Sequence, residues 1–316
     1  MTSTKTIIFG PTGHVGSATA RTAHQLGAKV VLAMRDVEKP IPGLNSYQEN
    51  SGGFIRVQAD LTKPETVRAA VSATGAKHAF IYIAHGTTDH MRQTIEALKA
   101  SGIVFVVFLS SFGVQGDARS IPPTDIIAYV HAQVENNLED VFGTDGYIAL
   151  RPAFFNTNAL WWASMIREGE VRAAYPDGKF DWISPGDIGS VAGSLLVKGI
   201  QATEGAEERN VIPLCGPKLV SLRDAMAIFG KALGKDIKVT EVDEDEGVKI
   251  MIQNGVPDFV AGPLVKSLGT GDNSEDGSGR FYGDAYKKAS ANLRKYAGQV
   301  TSLEEWAEAN KEIFDV

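Results

Sequence analysis

Three glycines at three-residue intervals separate an apolar segment from a predicted helix near the start of the chain. Ile7-Ile8-Phe9 leads into Gly10-Pro11-Thr12-Gly13-His14-Val15-Gly16. The first glycine permits a sharp turn, the second leaves room for a pyrophosphate, and the third lets the helix pack closely on the sheet. Free N–H groups at the helix start then bind phosphate. A plain connection is the alternative, but the context of strand, turn and helix favours a dinucleotide-binding turn. Its predicted contacts are Gly10, Thr12, Gly13, His14, Val15 and Gly16.

An arginine stands where such sites often distinguish between two dinucleotides. The predicted helix, residues 17–26, leads into a second apolar strand at 29–34, and Arg35 follows. NAD sites usually place an acidic residue here, whereas an arginine pairs with the 2′-phosphate of NADP through a planar fork of donors. Arg35 therefore favours NADP. The adjacent Asp36 weakens this preference, and a solvated arginine at a strand end is the alternative.

Composition and charge argue against several classes of protein. The chain has 316 residues, 43% of them hydrophobic, and a formal net charge of -7. An acidic balance with scattered basic residues predicts that it binds no nucleic acid. No apolar run approaches the ~18 residues of a membrane span, and Met1 to Lys5 do not resemble a signal peptide, so we expect a cytoplasmic protein that binds no membrane. Cys215 is the only cysteine. This excludes an internal disulfide and a cysteine-based metal cluster, and we expect no metal.

Apolar strands alternate with helical patterns through the first half of the chain, which is typical of a parallel sheet covered on both faces. The pattern predicts an α/β protein with a doubly wound, Rossmann-type parallel sheet over residues 1–153. Ligands of such sheets bind beyond the carboxyl ends of the strands. Further strands are predicted at 54–59, 79–84, 104–109 and 147–150, with connecting helices at 62–73, 89–101 and 125–142.

The second half predicts a smaller, interleaved C-terminal substrate lobe over residues 154–316, with segments near 180–214 returning to the sheet. Residues 269–283 are rich in Gly, Ser, Asp and Asn and predict a surface loop, which either covers the substrate or is a passive insertion. We also expect a strand at 210–214, a capped helix at 221–233, an extended segment at 238–242 and a helix start at 243–246.

Short motifs run through the chain in a definite order. They are the glycine turn, Arg35, Ala59-Asp60-Leu61, Leu109-Ser110-Ser111, Leu150-Arg151-Pro152 with Phe154 and Asn158, Asp187-Ile188-Gly189, and Ser302-Leu303-Glu304-Glu305-Trp306. In this order they resemble the NmrA-like family of atypical short-chain dehydrogenases, which includes NADP-binding reductases and redox-sensing regulators. The resemblance covers nearly the whole chain and implies NADP as the cofactor.

The same resemblance implies a place for each end of the cofactor. Asp60 and Leu61 would flank the adenine, and Ala84, His85 and Gly86 would lie along the ribose. The segment from Phe155 to Asn158 would lie near the nicotinamide. A helix N-cap ahead of Pro64 is a second interpretation of Asp60, compatible with the first.

Reductases of this family usually carry a Tyr-x-x-x-Lys pair on the helix after strand five, often with a serine at the end of that strand. In one register Tyr129 takes the tyrosine position, Gln133 stands where the lysine would be, and Ser110 or Ser111 could be the serine. In a second register Glu135 resembles the glutamate four residues after the family's lysine, which places His131 at the lysine position and no tyrosine at the other. The sequence leaves both registers open.

Acid–base chemistry does not require the lysine. A neutral glutamine gives a tyrosinate little help, but a neutral tyrosine or a histidine can donate a proton to a carbonyl as hydride arrives. His131 is one candidate because histidine titrates near neutrality, and Tyr129 could orient the substrate. Alternatively, both residues cover the sheet or face solvent on an ordinary helix. The candidate catalytic residues are Tyr129, His131, Ser111 and Gln133.

A dense run of aromatic residues follows the sixth predicted strand. Phe154, Trp161, Trp162 and Met165 lie where the resemblance implies a substrate cleft. Aromatic walls suit a bulky apolar or cationic small molecule. Packing in a core is the alternative.

Three functions are compatible with these residues. The first is an NADP-dependent oxidoreductase that reduces a carbonyl or an imine in a hydrophobic small metabolite. The second uses the same pocket, with NADP bound, for acid–base chemistry such as ring closure through an imine. The third is an NADP redox-sensing regulator. We expect a small-molecule substrate and a monomer or weak homo-oligomer.

Overall fold

A computed structural model of the chain describes residues 4–269 and 285–315. The predicted loop at 269–283 therefore lies outside the described residues, apart from Gly269. The chain divides into two compact units. The first unit comprises the described residues of Met1–Pro152, Pro185–Leu214 and Arg294–Gly298, and the second comprises those of Ala153–Ser184, Cys215–Leu293 and Gln299–Val316.

The first unit is built on a parallel sheet. The strands of the described chain are β1 (Lys5–Phe9), β2 (Lys29–Met34), β3 (Ile55–Gln58), β4 (His78–Tyr82), β5 (Phe105–Leu109), β6 (Tyr147–Pro152), β7 (Glu170–Ala173), β8 (Lys179–Phe180), β9 (Val211–Leu214), β10 (Val220–Ser221) and β11 (Lys238–Glu241). Seven of them form one sheet in the order β3-β2-β1-β4-β5-β6-β9, and every neighbouring pair is parallel. This confirms the predicted doubly wound α/β sheet.

Helices connect the strands of this sheet and form most of the second unit. They are α1 (His14–Gln25), α2 (Ser46–Gly52), α3 (Pro64–Thr74), α4 (Arg92–Ala100), α5 (Ile126–Phe142), α6 (Ala163–Glu168), α7 (Pro185–Lys198), α8 (Leu222–Leu233), α9 (Glu244–Gln253), α10 (Asp258–Gly269), α11 (Ala285–Ala297), α12 (Leu303–Ala309) and α13 (Glu312–Asp315). Helix α1 begins at His14, three residues earlier than predicted, because Gly13 is its N-cap.

The N-cap interpretation of Asp60 is wrong. Helix α3 begins at Pro64, and Lys63 is its N-cap. The carboxylate of Asp60 instead accepts hydrogen bonds from the backbone N–H of Thr62 at 2.9 Å and from its hydroxyl at 2.8 Å. Asp60 therefore stabilises the turn between β3 and α3, and not the start of the helix itself.

Helix α7 packs very closely on α1, and small residues permit this contact. A Cβ atom on Gly189 would lie 2.4 Å from the Cβ of Ala18, and one on Gly193 would lie 2.7 Å from the Cβ of Thr22. The glycine of the Asp187-Ile188-Gly189 motif is therefore needed where α7 crosses α1. Helix α1 carries the glycine turn at its start, so α7 helps to fix the direction in which that turn points.

The second unit holds two short sheets around an aromatic core. Strand β8 pairs antiparallel with β10, and β7 pairs parallel with β11. Its largest fully buried side chains are Trp162, Trp182, Phe229 and Phe314. The chain offers no helix, among the residues described, with the length and hydropathy that crossing a membrane requires.

Candidate functional site

The glycine turn contains two glycines that the fold needs and one that it does not. Gly10 has a left-handed φ of 68°, and its N–H donates to the carbonyl oxygen of Ala33 at 3.1 Å. A Cβ on Gly16 would lie 2.2 Å from the carbonyl oxygen of Gly10, so a side chain there would push α1 away from the turn. A Cβ on Gly13 would lie 3.5 Å from the same oxygen, an ordinary contact. The missing side chain of Gly13 therefore leaves space that a ligand can use.

The start of α1 is suited to an anion. Gly13 is the N-cap, it supplies no side-chain cap, and the first helical turn contains no acidic residue. The first N–H groups of a helix have no partner within the helix and attract negative charge. His14 is exposed there, whereas Val15 is buried. The residues present thus fit a pyrophosphate.

A cleft of about 280 Å³ lies beside this turn, lined by residues at the carboxyl ends of four neighbouring strands, β1 to β4. Gly86 follows the last of them and is exposed with a φ of 94°. Tyr82, at the end of β4, also lines the cleft, and a Cβ on Gly10 would lie 2.5 Å from its ring. The predicted cofactor residues that line the cleft are Gly10, Thr12, Arg35, Asp60, Leu61, Ala84 and His85.

Residues of opposite charge line this cleft. Arg35 is one of them, and it is exposed. Burial raises the pKa of Asp60, but hydrogen bonds from Thr62 and the charges of Arg35 and Lys63 outweigh it, so the net shift is downward and Asp60 is ionised at neutral pH. Burial raises the pKa of Tyr82, opposed by Arg35 and aided by Asp60. Tyr82 was not predicted from the sequence, although its position at a strand's carboxyl end could have indicated it.

Helix α5 presents Tyr129 and His131 to different surroundings. The two residues are two positions apart, so their side chains leave the helix in nearly opposite directions. His131 is half-buried, and its ring centroid lies 6.4 Å from that of Phe108 in β5. Its Nδ1 lies 2.7 Å from the carbonyl oxygen of Ile127. A carbonyl can only accept, so Nδ1 carries a proton and Nε2 remains for other partners.

The surroundings of His131 favour its neutral form. Burial lowers its pKa and the neighbouring His85 adds to this, whereas the Ile127 carbonyl and the Glu135 carboxylate raise it. His85 also lines the cleft. His131 therefore interacts electrostatically with a residue that lines the cleft.

A buried ion pair supports the helix one turn after His131. Glu135 Oε2 accepts from Arg151 Nη2 at 2.6 Å, and Glu135 Oε1 accepts from Arg151 Nε at 3.1 Å and from the Ser110 hydroxyl at 2.5 Å. Arg151 also donates to the carbonyl oxygen of Gly116. Ser110, Glu135 and Arg151 form a buried structural network.

Ser111 and Gln133 lie apart from this network. The hydroxyl of Ser111 accepts from the backbone N–H of Gly113 at 3.2 Å. Gln133 is half-buried, one helical turn after Tyr129 and one turn before Asn137. Their predicted catalytic roles stay predictions.

The ring of Tyr129 contacts His90, which was not predicted from the sequence. Their centroids lie 5.8 Å apart at an interplanar angle of 89°. His90 lies in the segment after β4, close to the cleft-lining residues Ala84 and His85 in the sequence. Nothing in the local pattern around His90 indicates this contact, because 39 positions of chain separate the two rings.

The aromatic residues predicted to contact substrate belong to the second unit. Phe154 and Trp162 are buried, 6% and 1% exposed, and Phe154 stacks on Phe180 at 4.4 Å. Core packing accounts for these two. Trp161 and Met165 are half-buried and pack against the same core. Phe155 and Asn158 also lie in this unit, where the N–H of Asn158 donates to the carbonyl oxygen of Phe155 at 2.9 Å.

Comparison with known proteins identifies the family. The model of the NmrA-like family matches residues 2–307. The chain belongs to the NmrA-like family. Among its relatives, nitrogen metabolite regulation-like protein bik4 of Gibberella fujikuroi is 36% identical over 279 residues, which cover 84% of this chain and 85% of bik4.

Within the described residues, no group of three or more His, Cys, Asp or Glu side chains could hold a metal ion.

Solved structures share the fold of this NmrA-like protein. The NADPH-dependent quinone oxidoreductase QOR2 of Escherichia coli, in complex with NADPH, superposes with a TM-score of 0.71 at 22% identity, covering 96% of this chain and 99% of that one. NmrA, a negative transcriptional regulator, superposes with a TM-score of 0.68 at 17% identity, covering 98% and 97%. The same fold thus occurs in an NADPH-dependent enzyme and in a regulator.

Proposed function

We propose that this NmrA-like protein binds NADP(H) in the cleft beside Gly10 and reduces a carbonyl or an imine in a hydrophobic small molecule. The observation that carries the proposal is the exposed guanidinium of Arg35 at the edge of that cleft. An arginine there suits a 2′-phosphate, whereas the ionised carboxylate in the same cleft, Asp60, belongs to the turn that Thr62 closes. The solved NADPH complex of QOR2, which shares this fold, also supports the proposal that the cleft binds NADP(H).

The chain's own groups would hold the dinucleotide at three places. Arg35 would pair with the 2′-phosphate. The N–H groups at the start of α1 would bind the pyrophosphate beside Gly13. Tyr82 and Ala84, at the end of β4, line the remaining wall.

Bound NADPH supplies a hydride to the substrate. The oxygen or nitrogen that gains charge needs a proton, and we assign its delivery to His131. With Nδ1 donating to the Ile127 carbonyl, the protonated ring directs its second N–H, on Nε2, away from the helix backbone. Half-burial of the ring limits competing water around this N–H.

Nucleotide preference tests the first part of the proposal. Arg35→Gln should weaken NADPH binding about 10- to 100-fold, the effect of losing a charge-assisted hydrogen bond of ~1.5–3 kcal/mol, and leave NADH binding nearly unchanged. Lys39→Gln is a matched control, because Lys39 is an exposed cation nearby that does not line the cleft. Equal loss of NADPH affinity in both variants would argue against a specific 2′-phosphate contact.

Turnover tests the second part. Purified protein and NADPH are mixed with aldehydes, ketones, quinones and cyclic imines, and absorbance of the reduced nicotinamide is followed. Oxidation of NADPH that His131→Gln slows about 100-fold or more supports the assignment. Selective NADPH binding without oxidation of any compound contradicts reduction and favours acid–base catalysis or sensing.

A further inference from the structure

Two consecutive residues after β4 hold a backbone conformation that costs energy. His90 has a φ of 49° and Met91 a φ of 65°, and neither is a glycine. Such conformations persist only where the surroundings enforce them, and they concentrate at functional sites. The segment 84–91 that contains this pair begins with Ala84 and His85 on the cleft wall.

Hydrogen bonds from two directions hold the strained pair. Asn137 of α5 donates from Nδ2 to the carbonyl oxygen of Asp89 at 3.2 Å and to that of His90 at 3.1 Å. The N–H of Met91 donates to the hydroxyl oxygen of Thr87 at 3.1 Å. The side chain of Met91 is buried in the core of the first unit. The pair is thus anchored to α5 and to the core.

Met91 connects the strained pair to the cleft. Its sulfur accepts the backbone N–H of Ala84 at 3.2 Å, so the end of the segment is bonded back to its beginning. Ala84 is nearly buried and lines the cleft. A displacement of the backbone at 90–91 would therefore move the cleft wall directly.

The imidazole of His90 adds a third anchor through its contact with Tyr129. Tyr129 and Asn137 are eight residues apart on α5, so they lie about two turns apart on one face and contact the same residue. A perpendicular ring contact of this kind depends on the two rings and not on the phenol hydroxyl.

We infer that Tyr129 and Asn137 clamp His90 and thereby fix the segment 84–91, so that Tyr129 is a positioning residue whose hydroxyl takes no part in proton transfer. The expected effect of the clamp on the KM for NADPH rests on the proposed function, whereas its expected effect on hydrogen exchange in the segment does not. Two measurements separate these parts.

The first measurement is amide hydrogen exchange of the full-length, ligand-free protein, read by mass spectrometry over residues 84–93. His90→Asn tolerates the left-handed backbone but lacks the ring, and we expect exchange in this segment about tenfold faster or more. His90→Phe and Tyr129→Phe keep both rings and should exchange like the unaltered protein. Unchanged exchange in His90→Asn, or fast exchange in Tyr129→Phe, overturns the clamp.

The second measurement is the steady-state oxidation of NADPH. His90→Asn should raise the KM for NADPH about tenfold and change kcat by less than about threefold, because the wall is loosened while the proton donor stays in place. His90→Phe should restore KM. A kcat that falls about 100-fold in Tyr129→Phe makes the hydroxyl a proton donor and overturns the assignment. Absence of NADPH oxidation by the unaltered protein contradicts the proposed function, and the exchange result still decides the clamp.

Discussion

Alanine at Gly13 separates what the ligand requires of the glycine turn from what the fold requires. Gly13 has φ -89° and ψ 162°, a conformation open to any residue, and the nearest atom to an added Cβ is 3.5 Å away. Gly16 is the matched control, since an added Cβ there lies 2.2 Å from the carbonyl oxygen of Gly10. The two variants differ from the natural protein by the same methyl group.

The expected changes in the free energy of unfolding differ in size. Gly13→Ala reduces the freedom of the unfolded chain, which stabilises by about 0.4–1 kcal/mol, but Gly13 is the N-cap of α1 and alanine is a poorer N-cap by a similar amount, so the net change should be close to zero. Gly16→Ala gains ~1 kcal/mol of helix propensity but must relieve a backbone overlap that costs about 1–3 kcal/mol, for a net loss on the order of 1 kcal/mol.

Gly13→Ala should weaken nucleotide binding even though the fold tolerates the substitution. Its methyl group occupies the space assigned to the pyrophosphate, so the Kd for NADPH should rise about tenfold or more, equivalent to ~1.4 kcal/mol. Urea unfolding and fluorescence titration with NADPH provide the two quantities. A Gly13→Ala protein that keeps its stability and binds NADPH as tightly as before would refute the placement of the pyrophosphate.

Three further predictions concern single groups. Because the pKa of His131 lies below the ordinary value of about 6.5, reduction that uses its protonated form should lose kcat as pH rises through that lowered value, and a pH–rate profile of His131→Gln should lack this limb. A limb that persists in the variant belongs to another group. Glu135→Gln leaves the buried Arg151 without its counter-ion and should destabilise by about 3–5 kcal/mol in urea unfolding, a result contradicted by a change below ~1 kcal/mol. Burial, with the charge of Asp181, raises the pKa of the Cys215 thiol, so iodoacetamide should modify it only after unfolding, and rapid labelling of the native protein would count against this.

The sequence predicted those parts of the fold that depend on local chemistry. Strand β2 lies at Lys29–Met34 as predicted, since it is an apolar run bounded by Gly27-Ala28 and Arg35. Helix α8 begins after Ser221, whose hydroxyl accepts the N–H of Asp224, and ends before Gly234 in the left-handed region. Caps and glycine turns are encoded within a few residues, so a pattern in the sequence is enough to find them.

Helices α2 and α7 are among those that escaped prediction, and for different local reasons. Helix α2 has only seven residues, which is too few for periodicity, and a capping box between Asn45 and Gln48 defines it. Helix α7 is buried on most of its surface, so it lacks the polar stripe that marks an amphipathic helix.

The candidate site was harder to predict because its contacts are long-range. The sequence shows that Phe154 and Trp162 are apolar, but it does not show that they are buried in a core. The choice between Tyr129 and His131 depends on which neighbours α5 meets, and the neighbour of Tyr129 is His90, from a different connection of the sheet. A residue in a strained left-handed conformation leaves no mark in composition or spacing.

The first unit consists of separate stretches of the sequence, so some of its elements are synthesised only after part of the second unit. Strand β9 and helix α7 belong to this unit but are translated after residues 153–184. A nascent chain that ends at Pro152 exposes the edge of β6 and leaves the Ala18 and Thr22 surface of α1 without the helix that covers it. An uncovered sheet edge is a template for aggregation. The sheet and the covering of α1 are therefore completed late, although the residues that line the cleft are translated first, and we expect a gene truncated after the sixth strand to yield an aggregation-prone fragment.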